Sequence, residues 1–435
     1  MDSEALQRVK VCGAEAEFIP RRLAMPLVLS TGAIEEVTEA RVAVAVRAGG
    51  REAIGRGAIY LSDLWAWPDP SLSHAYRDEI LRRLCRQIAE ELPALCGEPA
   101  HPLELGLRLH ERICGDAAAA LAGQTLPTLA RALCLSPFDA AIHDAAGIAI
   151  DVSAFAFYDR PASIPEADHL FPGQGAAAAI RRLFRKTPQH GFPACVVVGK
   201  SDDLAEHLGR WVRGRGYRRV KLKLSGKDNA ADAARTIEVY RALRELGVET
   251  PWISVDTNEA NPDAASVLDY LECLHAADAG AYAALAYLEQ PTARDIRRQP
   301  FDWRPVTRLK PVLLDEGLTD FAGLSEAAAQ GWSGLALKTC KGHSFALVAA
   351  AWAARHGLIL SLQDLTNPGY SAIHAALFGA FVPTINGVEL NSPQFTPEAN
   401  AEWLSSLASL LEPCDGVHRL PSSIPVGLGS LLSAR

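Results

Sequence analysis

RVKLKL (219–224), WISV (252–255), LAYL (285–288), PVLL (311–314) and GLAL (334–337) are short β-branched or leucine-rich runs. Stretches with helical periodicity separate several of them. The pattern extends outward to ACVVV (194–198) on one side and to LILSL (358–362) and GVEL (387–390) on the other. Helical periodicity is clearest at 203–213, 230–246, 262–275 and 345–355. Strand and helix alternating in this way indicate parallel strands joined by crossover helices. Eight such units favour a closed, modified (β/α) barrel over an open doubly wound sheet.

The flanking sequence has another rhythm. ARVAVAV (40–46) followed by a Gly-Gly turn reads as a hairpin strand, and 25–32 and 55–70 read as irregular. Amphipathic helices are expected at 76–88 and 103–113, and a packed small-residue helix at 136–150. Pro, Gly and Ala dominate 161–193, with one short basic helix near 180–184. The division that follows is an N-terminal α+β capping domain over 1–135, a connection over 136–193, the barrel over 194–392, and a C-terminal segment over 393–435.

With 435 residues, 49% hydrophobic and 22% charged, the chain can bury a full core. A net charge of -8 argues against nucleic acid or an anionic membrane as partner. No apolar run reaches the ~18 residues that span a bilayer; the longest, 345–354, ends at Arg355 and His356. Nine cysteines with no C-x-x-C spacing suggest idle thiols in a reducing compartment. MDSEALQRVK lacks the apolar core of a secretory signal, so the expected location is the cytoplasm. There is no G-x-S-x-G nucleophile elbow, and Gly214-Arg215-Gly216 precedes a strand, which is wrong for a phosphate loop.

Chemistry in a βα barrel sits at the C-terminal ends of the strands. Those ends read Lys221-Leu222-Lys223, Asp256-Thr257-Asn258, Glu289-Gln290, Asp315-Glu316, Lys338, Gln363-Asp364, and Glu389 with Asn391. Three consecutive strands thus end in carboxylates, flanked by strands ending in lysines. Alternation along a strand sends Lys221 and Lys223 the same way, into the barrel mouth. Three converging carboxylates repel one another unless a cation neutralises them. Hard oxygen donors without His or Cys suit Mg²⁺. A lysine beside another cation in a dry site is expected to have a lowered pKa and to act as a base. Taken one at a time, Asp256 and Asp315 also read as caps of the helices that follow them.

These residues resemble the enolase superfamily, specifically its muconate-lactonizing-enzyme-like branch (the mandelate racemase/muconate lactonizing enzyme family). The motifs are VKLKLSG (220–226), SVDTNEA (254–260), LEQP (288–291), LLDEG (313–317), LALKTCKG (335–342) and the helix SPFDAAIHDAAG (136–147). The resemblance implies that Asp256, Glu289 and Asp315 hold Mg²⁺, with Mn²⁺ as a substitute. It implies that Lys223 and Lys338 are acid/base lysines on opposite faces of a carboxylate substrate. Lys221 would lower the pKa of Lys223 and help hold that carboxylate, and Asn258 and Glu316 would orient the ligands. The implied chemistry is removal of the proton α to a carboxylate, giving racemisation, epimerisation, cycloisomerisation or β-elimination, in a symmetric homo-oligomer. The competing readings are a catalytically silent, metal- and carboxylate-binding barrel and an acid-sugar dehydratase.

Departures from the family pattern narrow this. The mandelate-racemase-like branch carries a His at the end of strand seven, where this chain has SLQDL (361–365), which disfavours acid-sugar dehydration. Dipeptide epimerases carry Asp-x-Asp on strand eight, where this chain has Glu389 and Asn391. His343 stands where the family often has glycine, either entering the site or serving the fold. Tyr60, Trp65 and Trp67 of YLSDLWAWP (60–68) either wall a substrate cavity or pin the capping loop to the barrel. With Gln363, Glu389 and Asn391, Tyr60 and Trp65 are the candidate substrate contacts.

Overall fold

The computed structural model describes residues 8–115 and 125–432. The outermost residues of the segments 1–135 and 393–435, and the first part of the N-terminal stretch read for a signal, lie outside that range. The capping module opens with three antiparallel strands in order β1 (Lys10–Leu29), β2 (Gly32–Ala48) and β3 (Arg51–Tyr60). Of the stretches expected to be irregular, 25–32 is largely strand and 55–60 completes β3, while 61–70 is irregular apart from the short helix Asp63–Ala66. Pro20 and Pro26 mask β1 in the sequence, yet β1 is an edge strand, where a missing N–H is tolerated. Gly55 and Gly57 mask β3. They are glycine because a Cβ at either position would collide with the backbone carbonyls of Ala141 and Pro137 on the helix packed across the strand.

That helix follows α1 (His74–Cys96) and α2 (Pro102–Cys114) and is α3, Thr128–Ile150. It begins inside the stretch assigned to the capping domain and runs unbroken through the expected boundary at 135/136. Among the described residues it alone is long and apolar enough to cross a membrane, but it is a buried core helix here. Pro137 lies within it without ending it.

Seven parallel strands follow in unbroken chain order: β4 (Cys195–Val198), β5 (Arg219–Lys223), β6 (Trp252–Asp256), β7 (Leu285–Glu289), β8 (Val312–Leu314), β9 (Gly334–Lys338) and β10 (Ile359–Gln363). The helices between and after them include α4 (Leu204–Arg215), α5 (Asn229–Glu245), α6 (Ala264–Ala277), α7 (Ala322–Gln330), α8 (His343–Arg355) and, after β10, α9 (Gly369–Phe381). The sheet with its helices and the antiparallel N-terminal sheet make the expected architecture of a modified barrel with a cap.

The eighth strand, expected at 387–390, shrinks to a single bridge between Gln363 and Glu389. The side chain of Asn386 is the reason. Its Oδ1 accepts from Leu362 N at 3.0 Å and its Nδ2 donates to Leu362 O at 2.9 Å, replacing a backbone ladder rung. On the far side of this segment the Gln394 amide acts likewise, accepting from Val197 N at 2.9 Å and donating to Val197 O at 2.8 Å. Two side-chain amides therefore stitch the eighth segment between β10 and β4. The C-terminal segment meets the cap through Glu402, which is ion-paired with Arg21 at 2.8 Å and Arg41 at 2.7 Å.

Candidate active site

The strand ends gather the charged residues. Lys221 and Lys223 leave β5 on the same side, two residues apart, as the strand period requires. Lys221 Nζ lies 2.9 Å from Glu289 Oε1 and 3.4 Å from Asp256 Oδ2. Lys223 Nζ donates to Asp256 Oδ2 at 2.6 Å and to Asn258 Oδ1 at 2.9 Å. Lys338, ending β9, donates to Asp315 Oδ2 and lies 3.7 Å from Glu289 Oε1. Asp256, Glu289 and Asp315 are each at most 2% exposed. Neither Asp256 nor Asp315 caps a helix. Asp263 caps α6, and no side chain caps α7 from its N-cap residue Phe321.

The residues just past the strand ends are held in unusual geometry. Asn258, Glu259 and Gln290 all have positive φ, at 44°, 70° and 31°. Such strain persists only where the surroundings over-determine it. Gln290 supplies part of that support, since its Oε1 accepts from Asp315 N at 2.9 Å and Gly317 N at 3.1 Å. Asn258 Nδ2 reaches Asp256 Oδ2 at 3.2 Å and Glu316 Oε1 at 3.3 Å, placing both residues around the carboxylates. Sequence reading missed Gln290 and Lys341. The Lys341 ammonium is buried, donating to Asp315 O at 2.5 Å and Oδ1 at 3.0 Å. A second lysine three residues after the first was the available signal.

Electrostatics in this cluster are a contest between burial and pairing. Burial opposes ionisation of Asp256 and Asp315, but Lys223 and Lys221 hold Asp256 low and Lys338 and Lys341 hold Asp315 low. Glu289 is pushed up to about 8 by burial and Glu316 to about 7, with neighbouring carboxylates adding to both. Lys221 and Lys338 do not show a lowering. Burial pulls Lys221 and Lys338 down, and the carboxylates around them more than reverse it.

A divalent cation fits this donor set in chemistry and in charge. The oxygens are hard, burial opposes the ionisation of Glu289 despite its neighbouring lysines, and Glu316 Oε2 is buried with no hydrogen-bond partner. With the ammonium groups seated among the carboxylates, no three acidic, His or Cys side chains among the described residues stand in a closed cage.

Beside the cluster is a half-open cavity. Lys221, Lys223, Asp256, Asn258 and Lys338 line one side, Gln363, Asp364, Glu389 and Asn391 another. The cap contributes Leu27 and Leu29 from the end of β1, with Ser62 and Trp65. The β1–β2 hairpin tip docks on the strand ends, Ser30 Oγ donating to Asn258 O at 2.6 Å. Trp65 lies over the Lys338 ammonium, 4.9 Å from Nζ to ring centroid, and its Nε1 donates to Glu316 Oε1 at 3.0 Å. Gln363 also binds Glu289 through its amide. Tyr60 does not reach the cavity; its ring is buried, and the backbone ends β3 at the cap–barrel seam. Trp67 packs near Tyr76 instead. His343 lies outside the cavity too, fully buried among His143, His374, Tyr158 and Phe155.

Residues 203–430 match the family model described as enolase C-terminal domain-like. No curated protein matches the chain in a sequence search. The fold matches that of a muconate lactonizing enzyme from Pseudomonas fluorescens complexed with muconolactone (20% identity, 98% of this chain and 96% of that one, TM-score 0.62). It also matches an N-succinyl Arg/Lys racemase from Bacillus cereus (18%, 97% and 95%, TM-score 0.64). An enolase from Bradyrhizobium complexed with magnesium and mandelic acid is similar as well (17%, 98% and 96%, TM-score 0.62).

Proposed function

The chain belongs to the enolase C-terminal domain-like family, and from that premise we propose a Mg²⁺-dependent isomerase or lyase that removes the proton α to a carboxylate. One observation carries the reading. Lys223 and Lys338, from strands separated by three carboxylate-bearing strands, line one cavity. Asp256, Glu289 and Asp315 would hold the ion, with Mn²⁺ able to replace Mg²⁺, and Asn258 and Glu316 would orient them. Bound there, the ion supplies charge stabilisation for an enolate and for the substrate carboxylate.

The chain's own residues do the remainder. Lys221 and its neighbours attract the substrate carboxylate. Lys223 or Lys338, once its ammonium has given up a proton, takes the α-proton on its Nζ, and the opposite lysine returns one. Two lysines make racemisation or epimerisation natural, and elimination or cycloisomerisation proceeds from the same enolate. Leu27, Leu29, Val197 and Trp65 exclude water, which strengthens every charge interaction inside.

The test is a panel of carboxylic acids with Mg²⁺ in D₂O, followed by proton NMR. The panel spans acid sugars, N-acyl amino acids, dipeptides and aromatic or lactone-forming acids. Loss of an α-proton signal without a new product identifies racemisation or epimerisation. Loss with a new alkene, keto acid or lactone identifies elimination or cycloisomerisation. Silence throughout, with Mg²⁺ shown to bind, would favour the catalytically silent barrel.

A further inference from the structure

The wall of the cavity formed by the end of β10 and the eighth segment carries hydrogen-bond acceptors with nothing donating to them. Asp364 is 2% exposed and lines the cavity. Its Oδ1 accepts from Thr366 N at 2.8 Å, while Oδ2 is buried with no hydrogen-bond partner. Asn391 Oδ1, lining the same wall, is likewise without a partner. The Asn391 amide nitrogen is spent on Glu389 Oε1 at 2.8 Å. Glu389 has a share of Lys221, 3.7 Å away. Among the described residues Asp364 forms no ion pair at all. Leaving a buried carboxylate oxygen unmatched is costly, so a donor is expected to come from outside the chain.

The backbone shows that this placement is enforced. Leu365 and Thr366 both have positive φ, 60° and 64°, which is costly for a β-branched residue. Asn367 holds the loop from two sides. Its Nδ2 donates to Asp364 O at 2.5 Å and Leu365 O at 3.1 Å, and its Oδ1 accepts from Tyr60 N on the cap at 2.5 Å. The strained loop thus presents one buried acid to the cavity. Burial, with Glu389 adding to it and the backbone N–H groups of Thr366 and Asn391 opposing it, holds that acid well above its ordinary range, the condition a cationic ligand would reverse.

We propose that Asp364, flanked by Glu389 and Asn391, receives a positively charged nitrogen of the substrate. The ligand is then an amino-bearing carboxylic acid, its carboxylate at the lysine side and its ammonium at Asp364. This rests on the carboxylate-binding reading of the cavity given above. A dicarboxylate is disfavoured because its second anion would meet Asp364 and Glu389 together.

The probes are short ω-aminoalkanoates, with α-amino acids of matching length, against hydroxyalkanoates and alkanoates, titrated calorimetrically into the full chain with Mg²⁺. Amino acids of one length should bind roughly tenfold or more tighter than their neutral counterparts. Asp364→Asn keeps the acceptor for Thr366 N and should erase that preference. The wild-type series alone tests the preference should the variant not fold. Equal binding of amino, hydroxy and unsubstituted acids overturns the subsite and leaves the proposed reaction standing. Preference for the hydroxy series overturns the cationic assignment. Failure of every carboxylate to bind overturns the carboxylate reading, and the subsite with it.

Discussion

Lys341 grips Asp315 twice, through its backbone carbonyl at 2.5 Å and its Oδ1 at 3.0 Å. Both residues are about 1% exposed. Asp315 Oδ2 is left for Lys338. One carboxylate is therefore shared between a lysine that lines the cavity and one that does not, which divides the two lysines into separate roles.

Lys341→Met removes the positioning lysine and leaves a buried carboxylate half compensated. Breaking such a pair costs about 3 kcal/mol or more. The midpoint of urea unfolding should fall accordingly, and an unchanged midpoint would show that the bond has no structural weight.

Trp65→Phe keeps a ring over Lys338 and removes only the donor to Glu316. A loss of about 1 kcal/mol in stability is expected. Trp65→Ala also opens the cavity wall, so carboxylate binding should weaken by about tenfold more than in the Phe variant. Equal binding by both variants would remove Trp65 from the cavity's function.

Gly57→Ala should destabilise the cap by about 2 kcal/mol, because the added methyl meets the backbone carbonyl of Pro137. Thermal unfolding measures this. Gly50→Ala, at a turn with open space around it but φ 77°, gives a control for backbone strain alone.

Acid should weaken the fold through buried histidines. Burial holds His110 down to about 4, stacked on Phe345 with ring centroids 4.7 Å apart. In the unfolded chain a histidine titrates near about 6.5. Above that pH both states are neutral and nothing changes. Below it the unfolded state binds a proton that the folded state refuses, so stability falls until pH reaches about 4. The stability difference between wild type and His110→Phe should be flat above about pH 6.5, with the wild type losing ground below it. A difference independent of pH would contradict the neutral buried assignment.

Much of this architecture is legible in the sequence because the barrel strands are short and largely apolar and four of them, β5, β6, β7 and β9, end on a charged residue. Lys221 and Lys223 declare their common direction by spacing alone. The eighth strand is read at 387–390, but its reduction to a single bridge is not legible, since the side chain of Asn386 takes up backbone pairing that no periodicity encodes. β1 and β3 are hidden by prolines on an edge and by glycines whose reason, the carbonyls of a helix far along the chain, exists only in three dimensions. Tyr60 and Trp65 look alike as candidates from composition, and only the turn after β3 separates the ring that lines the cavity from the one that does not. Asp364 is visible as a strand-end acid, but its lack of a partner emerges only when its surroundings are assembled.

The central claim is that Lys338 moves the α-proton. The most direct test is α-proton exchange in D₂O by the Lys338→Ala variant with an accepted carboxylate substrate, alongside Mg²⁺ binding by calorimetry. The account predicts that exchange is abolished while Mg²⁺ still binds. Exchange at the wild-type rate would contradict the assignment of Lys338.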